Sequence, residues 1–262
     1  MDDREIVAAI VAGDPAGLAG AYDMYAEPLH SYCRWMLDDP AGAAGAVQDT
    51  YVVAASRLRG LSDPRRLRPW LYAVARNECY RRLAGAEPAG DHAVDMTDPD
   101  EDSERAELRW LVRATLDGLS PAEREVMELE LRHGLHGADL AAVLGVPRKQ
   151  ASALVVRARD RLEKELGALL VARTGRRSCH DLEMLLAGWD GRMTALTRTR
   201  VSRHVERCQV CIKSLRGLLR PAVMFGMPPL AALPAGLRQD VLELCTDWDL
   251  EVLAYRQEVT GG

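Results

Sequence analysis

The sequence predicts an all-helical protein built from several small bundles, and three observations carry that expectation. Alanine, leucine and arginine abound while phenylalanine occurs once, a composition that favours helices over strands. Apolar side chains recur at helical spacing: Leu18, Tyr22, Tyr25, Leu29, Tyr32 and Met36 are separated by 4, 3, 4, 3 and 4 positions and share one helix face. Helix-start signals punctuate the chain, notably Asp38-Asp39-Pro40 and the capping box Ser120-Pro121-Ala122-Glu123.

A chain of 262 residues holds two compact domains or three small ones. The net charge of -5 excludes nucleic-acid binding by overall electrostatics, so any such surface has to be a local patch. The start, Met1-Asp2-Asp3-Arg4-Glu5, is charged and lacks the apolar segment of a signal peptide. The best membrane-span candidate, Leu215 to Leu237, carries Arg216, Arg220 and four prolines and is not expected to span. These features predict a cytoplasmic protein with no membrane partner. Its six cysteines then read as reduced thiols or metal ligands rather than a disulfide framework.

The elements follow in order. Pro28 is expected to interrupt and kink the first apolar helix. Val47, Tyr51, Ala54 and Leu58 form the next stripe, a turn falls at Gly60 to Pro64, and a helix runs from about Pro69 to Leu83. These make a first domain over 1–85. Residues 86–104 form an acidic linker: the stretch from 84 to 104 has eight acids, two prolines and no lysine or arginine, and cannot bury a core. A second domain covers 105–172. There Leu140, Val143 and Leu144 form a short face ended by Gly145, and Pro147 opens a longer helix with Ala151, Leu154, Val155, Ala158 and Leu162 on one side. A short helix, a glycine turn and a longer basic helix are the signature of a helix-turn-helix. The basic break Arg173 to Arg177 leads to a third unit over 173–220. The tail, 221–262, is proline-rich and then predicts one helix, Leu237 to Leu253.

Three constellations carry chemistry. Between Arg57 and Arg82 eight arginines face only Asp63 and Glu78, with Trp70, Tyr72 and Tyr80 interleaved. Arginine neutralises phosphates and aromatic faces stack on unpaired bases, so the mixture suits an opened single strand. A solvated helix face with Trp70 and Tyr72 in the core is the alternative. In the helix-turn-helix, Arg148, Lys149 and Gln150 open the second helix, where a recognition helix meets base edges, and Arg157 lies further along toward phosphates. A plain helical hairpin with a solvated basic end is the alternative there. Lastly, His204, Cys208 and Cys211 lie at i, i+4 and i+7, residue types and spacing that match zinc ligands. Cys179, 25 residues upstream, completes a Cys3His set, with His180 as the competing fourth ligand, and an apo helical hairpin with two buried cysteines is the alternative. Cys33, Cys79 and Cys245 occupy apolar helical contexts and read as core residues. No phosphate loop or nucleophile elbow is present, so no enzyme is expected.

With these residues in view, the chain resembles an extracytoplasmic-function (group IV) sigma factor of the sigma-70 family. Ala46-Val47-Gln48-Asp49-Thr50-Tyr51 resembles the helix of sigma region 2 that grips the polymerase clamp. Arg68-Pro69-Trp70-Leu71-Tyr72-Ala73-Val74-Ala75-Arg76-Asn77 resembles the segment that binds and opens the −10 element, and Gly60 to Leu67 the loop that holds a flipped-out base. Leu119 to Val126 and Ala138 to Val146 resemble region 4, which reads the −35 element with the following helix. The third unit resembles a zinc-containing anti-sigma domain, with Cys179, His204, Cys208 and Cys211 on its ligand positions.

The resemblance implies a non-enzymatic initiation factor with core RNA polymerase and promoter DNA as partners. Val47, Gln48, Asp49 and Tyr51 would meet polymerase. Arg65, Arg66, Arg68, Trp70 and Asn77 would act at −10, and Arg148, Lys149, Gln150 and Arg157 at −35. One zinc ion and regulation by the fused zinc-type domain, or by a separate partner, are further expectations. Ala43, Ala44 and Gly45 stand where region 2 of the family carries acids. They motivate a second possibility, a sigma-like interaction or anti-sigma protein that no longer initiates transcription.

Overall fold

The computed structural model describes residues 1–85, 103–222, 230–247 and 250–261. The acidic linker expected at 86–104 thus lies almost wholly outside the described residues, as does the proline-rich start of the tail at 223–229. Among the described residues every regular element is helical, and no helix is long and apolar enough to cross a membrane.

The first four long helices are α1 (Asp3–Ala12), α2 (Pro15–Leu37), α3 (Pro40–Arg57) and α4 (Leu67–Gly85). Their starts follow from local chemistry. Asp2 accepts from the backbone of Arg4 and Glu5 while Glu5 reaches back, a complete capping box. Asp39 accepts from Ala41 and Gly42 with Pro40 in the first turn of α3. The expected interruption at Pro28 does not occur, and α2 runs through it. Proline removes one intrahelical donor, but Tyr25, Leu29 and Tyr32 bury on either side and hold the helix together.

The chain continues as α5 (Ser103–Leu116), α6 (Pro121–Met127), α7 (Gly137–Leu144), α8 (Arg148–Thr174), α9 (His180–Leu185), α10 (Ala195–Val205), α11 (Gln209–Ala222), α12 (Leu237–Thr246) and α13 (Leu250–Thr260). The capping box at Ser120 and Glu123 forms as the sequence dictates. Gly145 closes α7 in the left-handed region at φ 65°, where a side chain would be strained. The single tail helix expected over Leu237 to Leu253 is instead α12 and α13, because Asp247 after Thr246 takes extended backbone.

The chain divides into two compact units that are not consecutive stretches of sequence. One is drawn from Met1–Val94, His133–Ala151 and Pro229–Gly262, the other from Asp95–Arg132 and Ser152–Pro228. In the first, α1 to α4 form a bundle around Ile6, Leu29, Tyr32, Val47, Tyr51, Leu67 and Leu71, each at most 1% exposed. On this bundle α7 packs against α4, and α12 and α13 pack against α3.

In the second unit, Ala168, Leu169, Val171 and Ala172 of α8 are buried, and all but Leu169 belong to a core shared with Leu182, Leu186, Val201 and Val205 of the segment 173–220. A buried ion pair fixes this unit. Arg198 of α10 donates to Glu165 Oε2 of α8 at 3.1 Å, to the Ala114 carbonyl of α5 at 2.6 Å and to the Met193 carbonyl at 2.9 Å. Arg161 meets the other Glu165 oxygen at 3.0 Å. Removing one member of such a pair leaves the other charge buried without its partner. Arg198→Ala is therefore expected to lower unfolding free energy by about 3–5 kcal/mol, measured by urea titration. Arg198→Met combined with Glu165→Gln is expected to recover most of the loss.

Candidate functional site

The site begins at α3. Val47 and Tyr51 are spaced i, i+4 on the apolar stripe and are wholly buried, with the Tyr51 hydroxyl donating to the Ala21 carbonyl at 3.1 Å. They hold α3 in the bundle and present no surface to a partner. Asp49, on another side of the helix, is only 1% exposed yet charged in character. Burying a carboxylate demands partners, and α4 supplies them: Arg82 at 2.6 Å and Arg81 at 2.8 Å. The Tyr255 hydroxyl of α13 adds a short hydrogen bond to the other Asp49 oxygen. Arg81 is held charged above its ordinary value foremost by its hydrogen bond to Glu78. Burial, then the bond to Asp49, pushes the Tyr255 hydroxyl well above the usual phenol range. Gln48 remains half-buried beside this group.

The arginine-rich stretch separates into two populations. Arg65, Arg66 and Asn77 are exposed. Arg68 is half-buried, donating to the His133 carbonyl with its guanidinium 5.8 Å from the Tyr72 ring centre. Tyr72 is fully buried, its hydroxyl 2.9 Å from His133 Nδ1, and Tyr32 and His133 meet edge to face at 5.8 Å between centres. Trp70 packs half-buried against Val52, Val53 and Val259. Tyr80 lies at the surface under the Arg76 guanidinium, 4.6 Å from ring centre. Of the aromatic residues interleaved with arginine, Tyr72 is thus a core residue, as the alternative reading allowed.

Arg148, Lys149 and Gln150 are exposed at the start of α8, and Arg157 is exposed two turns on. Arg159 is tied to Glu130 at 2.9 Å.

The four sulfur and nitrogen ligands converge. Cys179 precedes α9, His204 ends α10, and Cys208 and Cys211 bracket the start of α11. Cys179 Sγ lies 3.3 Å from His204 Nε2 and 3.8 Å from Cys208 Sγ, and Cys211 Sγ lies 3.3 Å from His204 Nε2. All four ligand atoms fall within 4.8 Å of one another. A tetrahedron with Zn–S near 2.3 Å and Zn–N near 2.0 Å needs edges of roughly 3.5–3.8 Å, so the group fits that ion. The Cys211 backbone N–H foremost lowers the Cys208 thiol, and burial pushes the Cys211 thiol up to about 12. His180 turns away toward Glu183, 3.8 Å distant, and is outside the group. None of the six cysteines forms a disulfide.

Comparison with known proteins gives this geometry its family. The sigma-70 region 2 family matches residues 21–87, which include all of α3 and α4 and most of α2. The RNA polymerase sigma factor CnrH of Cupriavidus metallidurans is 34% identical over 137 residues, covering 47% of this chain and 72% of that protein. The chain belongs to the extracytoplasmic-function sigma-70 family. The RNA polymerase sigma-H factor of Pseudomonas aeruginosa is 24% identical over 184 residues, 64% of this chain and 95% of that protein. The ECF RNA polymerase sigma factor SigM of Mycobacterium tuberculosis is 27% identical over 168 residues, 64% of this chain and 86% of that protein.

For this sigma factor the sequence pattern did not expose the partners of Asp49. Arg81 and Arg82 counted only as basic residues, and Tyr255 lies 206 positions away. Arg198 and Glu165 gave no periodic signal at all, being single charges on basic helices. His133, the hub of the Tyr32–Tyr72 cluster, looked like one scattered histidine among several.

Tyr72→Phe keeps the ring and deletes one buried hydrogen bond to His133. It is expected to cost about 1 kcal/mol of unfolding free energy, whereas Tyr72→Ala, which also opens a cavity, is expected to cost about 3–5 kcal/mol. Chemical denaturation of both variants checks the difference.

Proposed function

We propose that this sigma factor binds core RNA polymerase through α3, opens the −10 element with the exposed face of α4 and its preceding loop, and reads −35 DNA with the start of α8. Sigma-factor activity in transcription initiation follows from family membership. The finer assignment rests above all on one observation: the region 2 match covers the helices that leave Arg65, Arg66 and Asn77 open to solvent. Exposed guanidinium groups suit phosphates, and an exposed amide suits an extruded base edge. Of the four residues of α3 expected to meet polymerase, Gln48 is partly open, Asp49 is covered by Arg81, Arg82 and Tyr255, and Val47 and Tyr51 are core. Such a protein works in the cytoplasm, where polymerase and promoters are.

At the −35 end, Arg148, Lys149 and Gln150 stand where a recognition helix meets the major groove. Arg157 supplies a phosphate contact. These four residues act as reader and anchor, with sequence read through Arg148 and Gln150.

The zinc-type segment regulates the same chain. One zinc ion held by Cys179, His204, Cys208 and Cys211 would serve as a structural tie in a segment with a modest core. Because α8 shares that core and the Arg198–Glu165 pair, loss of the metal would loosen the packing of the second half of α8. A thiolate set of this kind loses metal on oxidation.

Transcription from a randomised promoter library with core polymerase tests the activity. The chain is expected to select a bipartite site; transcripts that start at random would contradict the proposal. In duplex binding, Lys149→Ala is expected to reduce the slope of log affinity against log salt by about 1 across all sequences. Gln150→Ala is expected to relax preference at one position instead. Metal analysis is expected to give one zinc per chain, lost in Cys208→Ser and His204→Ala and retained in His180→Ala.

A further inference from the structure

The tail after residue 229 has no part in the function proposed above, yet it is built onto the bundle. Val259 of α13 is buried in one cluster with Val52 and Val53 of α3, and Trp70, Val74, Leu244, Cys245 and Tyr255 pack around it. Tyr255 donates to Asp49, and Arg57 of α3 donates to the Thr260 carbonyl at the end of α13. At the other edge Arg238 of α12 forks onto Asp23 of α2 at 2.7 and 3.0 Å, and the Ala231 N–H reaches the Ser31 hydroxyl at 3.3 Å.

Two properties of this contact matter. It covers a residue from each of two surfaces that initiation needs: Asp49, proposed for polymerase, and Trp70, proposed for −10 DNA. It is also a modest contact. Among the described residues the tail buries three apolar side chains, Leu237, Val241 and Val259, and Arg238 and Asp23 are both about half exposed, where an ion pair is weak. Attachment to the same chain makes a modest contact sufficient, since a tethered segment acts at an effective concentration on the order of millimolar.

We infer that α12 and α13 are a tethered occupant of the α3 surface that core polymerase uses, and that Asp49 exchanges Tyr255 for a polymerase donor when the tail leaves. The inference rests on α3 being the polymerase-binding helix. It assigns inhibition to the tail itself, separately from the zinc-type segment. The partner that displaces it must offer what the tail offers: a hydrogen-bond donor for Asp49 and a small apolar contact for Val52 and Val53. Release would uncover Trp70 in the same step, so polymerase binding and access of the −10 surface are coupled through one apolar cluster.

Cys245, packed in that cluster, gives a native probe. The experiment uses the full chain and two variants: Val259→Asp, which places a carboxylate against Val52 and Val53, and Tyr255→Phe, which deletes only the hydroxyl on Asp49. Alkylation of Cys245 by a maleimide is followed by peptide mass spectrometry, and affinity for core polymerase is measured on the same preparations. Val259→Asp is expected to speed alkylation and tighten polymerase binding about tenfold, the factor lost by a surface that is free about a tenth of the time. Tyr255→Phe is expected to move both readouts the same way by less. Faster alkylation with unchanged or weaker polymerase binding overturns the inference, and so does unchanged alkylation in both variants. If Val259→Asp loses its melting transition, Tyr255→Phe decides alone. If neither the natural chain nor any variant binds polymerase although Cys245 is released, the assignment of α3 itself has failed.

Discussion

A carboxylate held almost wholly out of water is the constraint on which the first unit depends. Asp49 would be costly inside the bundle without partners, and its position on α3 forces neighbouring helices to bring them. Arg81 and Arg82 come from the end of α4, which sets the register between α3 and α4. That register in turn leaves Asn77 on the solvent side of α4, with Arg65 and Arg66 exposed in the loop before it. The third partner, Tyr255, comes from the far end of the chain. One buried charge therefore links the helix assigned to polymerase, the helix assigned to DNA and the tail that covers both.

The second unit uses the same physical device for a different end. Glu165 is a buried carboxylate whose partners, Arg198 and Arg161, come from α10 and from α8 itself. Arg198 spends its remaining donors on the carbonyls of Ala114 and Met193. A single guanidinium thus ties α5, α8 and α10, and α10 also carries His204 of the Cys3His group near its end. Cys179 and Cys211 of the Cys3His group belong to the same apolar core as Val171, Leu182 and Val201.

Much of the fold was legible in the sequence because it is written in short-range chemistry. Caps at Asp39 and Ser120, the glycine stop at Gly145 and the i, i+4 stripes on α2 and α3 act within a few residues of themselves. The Cys3His group was legible for the same reason, since three of its four residues share eight residues of chain. What was missed is long-range. Nothing near Asp49 announces Tyr255, and nothing near Glu165 announces Arg198. The resemblance marked Val47, Gln48, Asp49 and Tyr51 together, but Val47 and Tyr51 are core and Asp49 is covered by Arg81, Arg82 and Tyr255. Pro28 misled because its local cost is outweighed by burial of the tyrosines and leucine around it.

Hydrogen–deuterium exchange of the full chain, with and without core polymerase, tests the account most directly. Peptides from α3 and from 237–260 report the two sides of one contact. If polymerase takes the place of the tail, exchange slows in α3 while it quickens in 237–260. Slowing in both segments together, or no change in the tail while α3 is protected, would contradict the account.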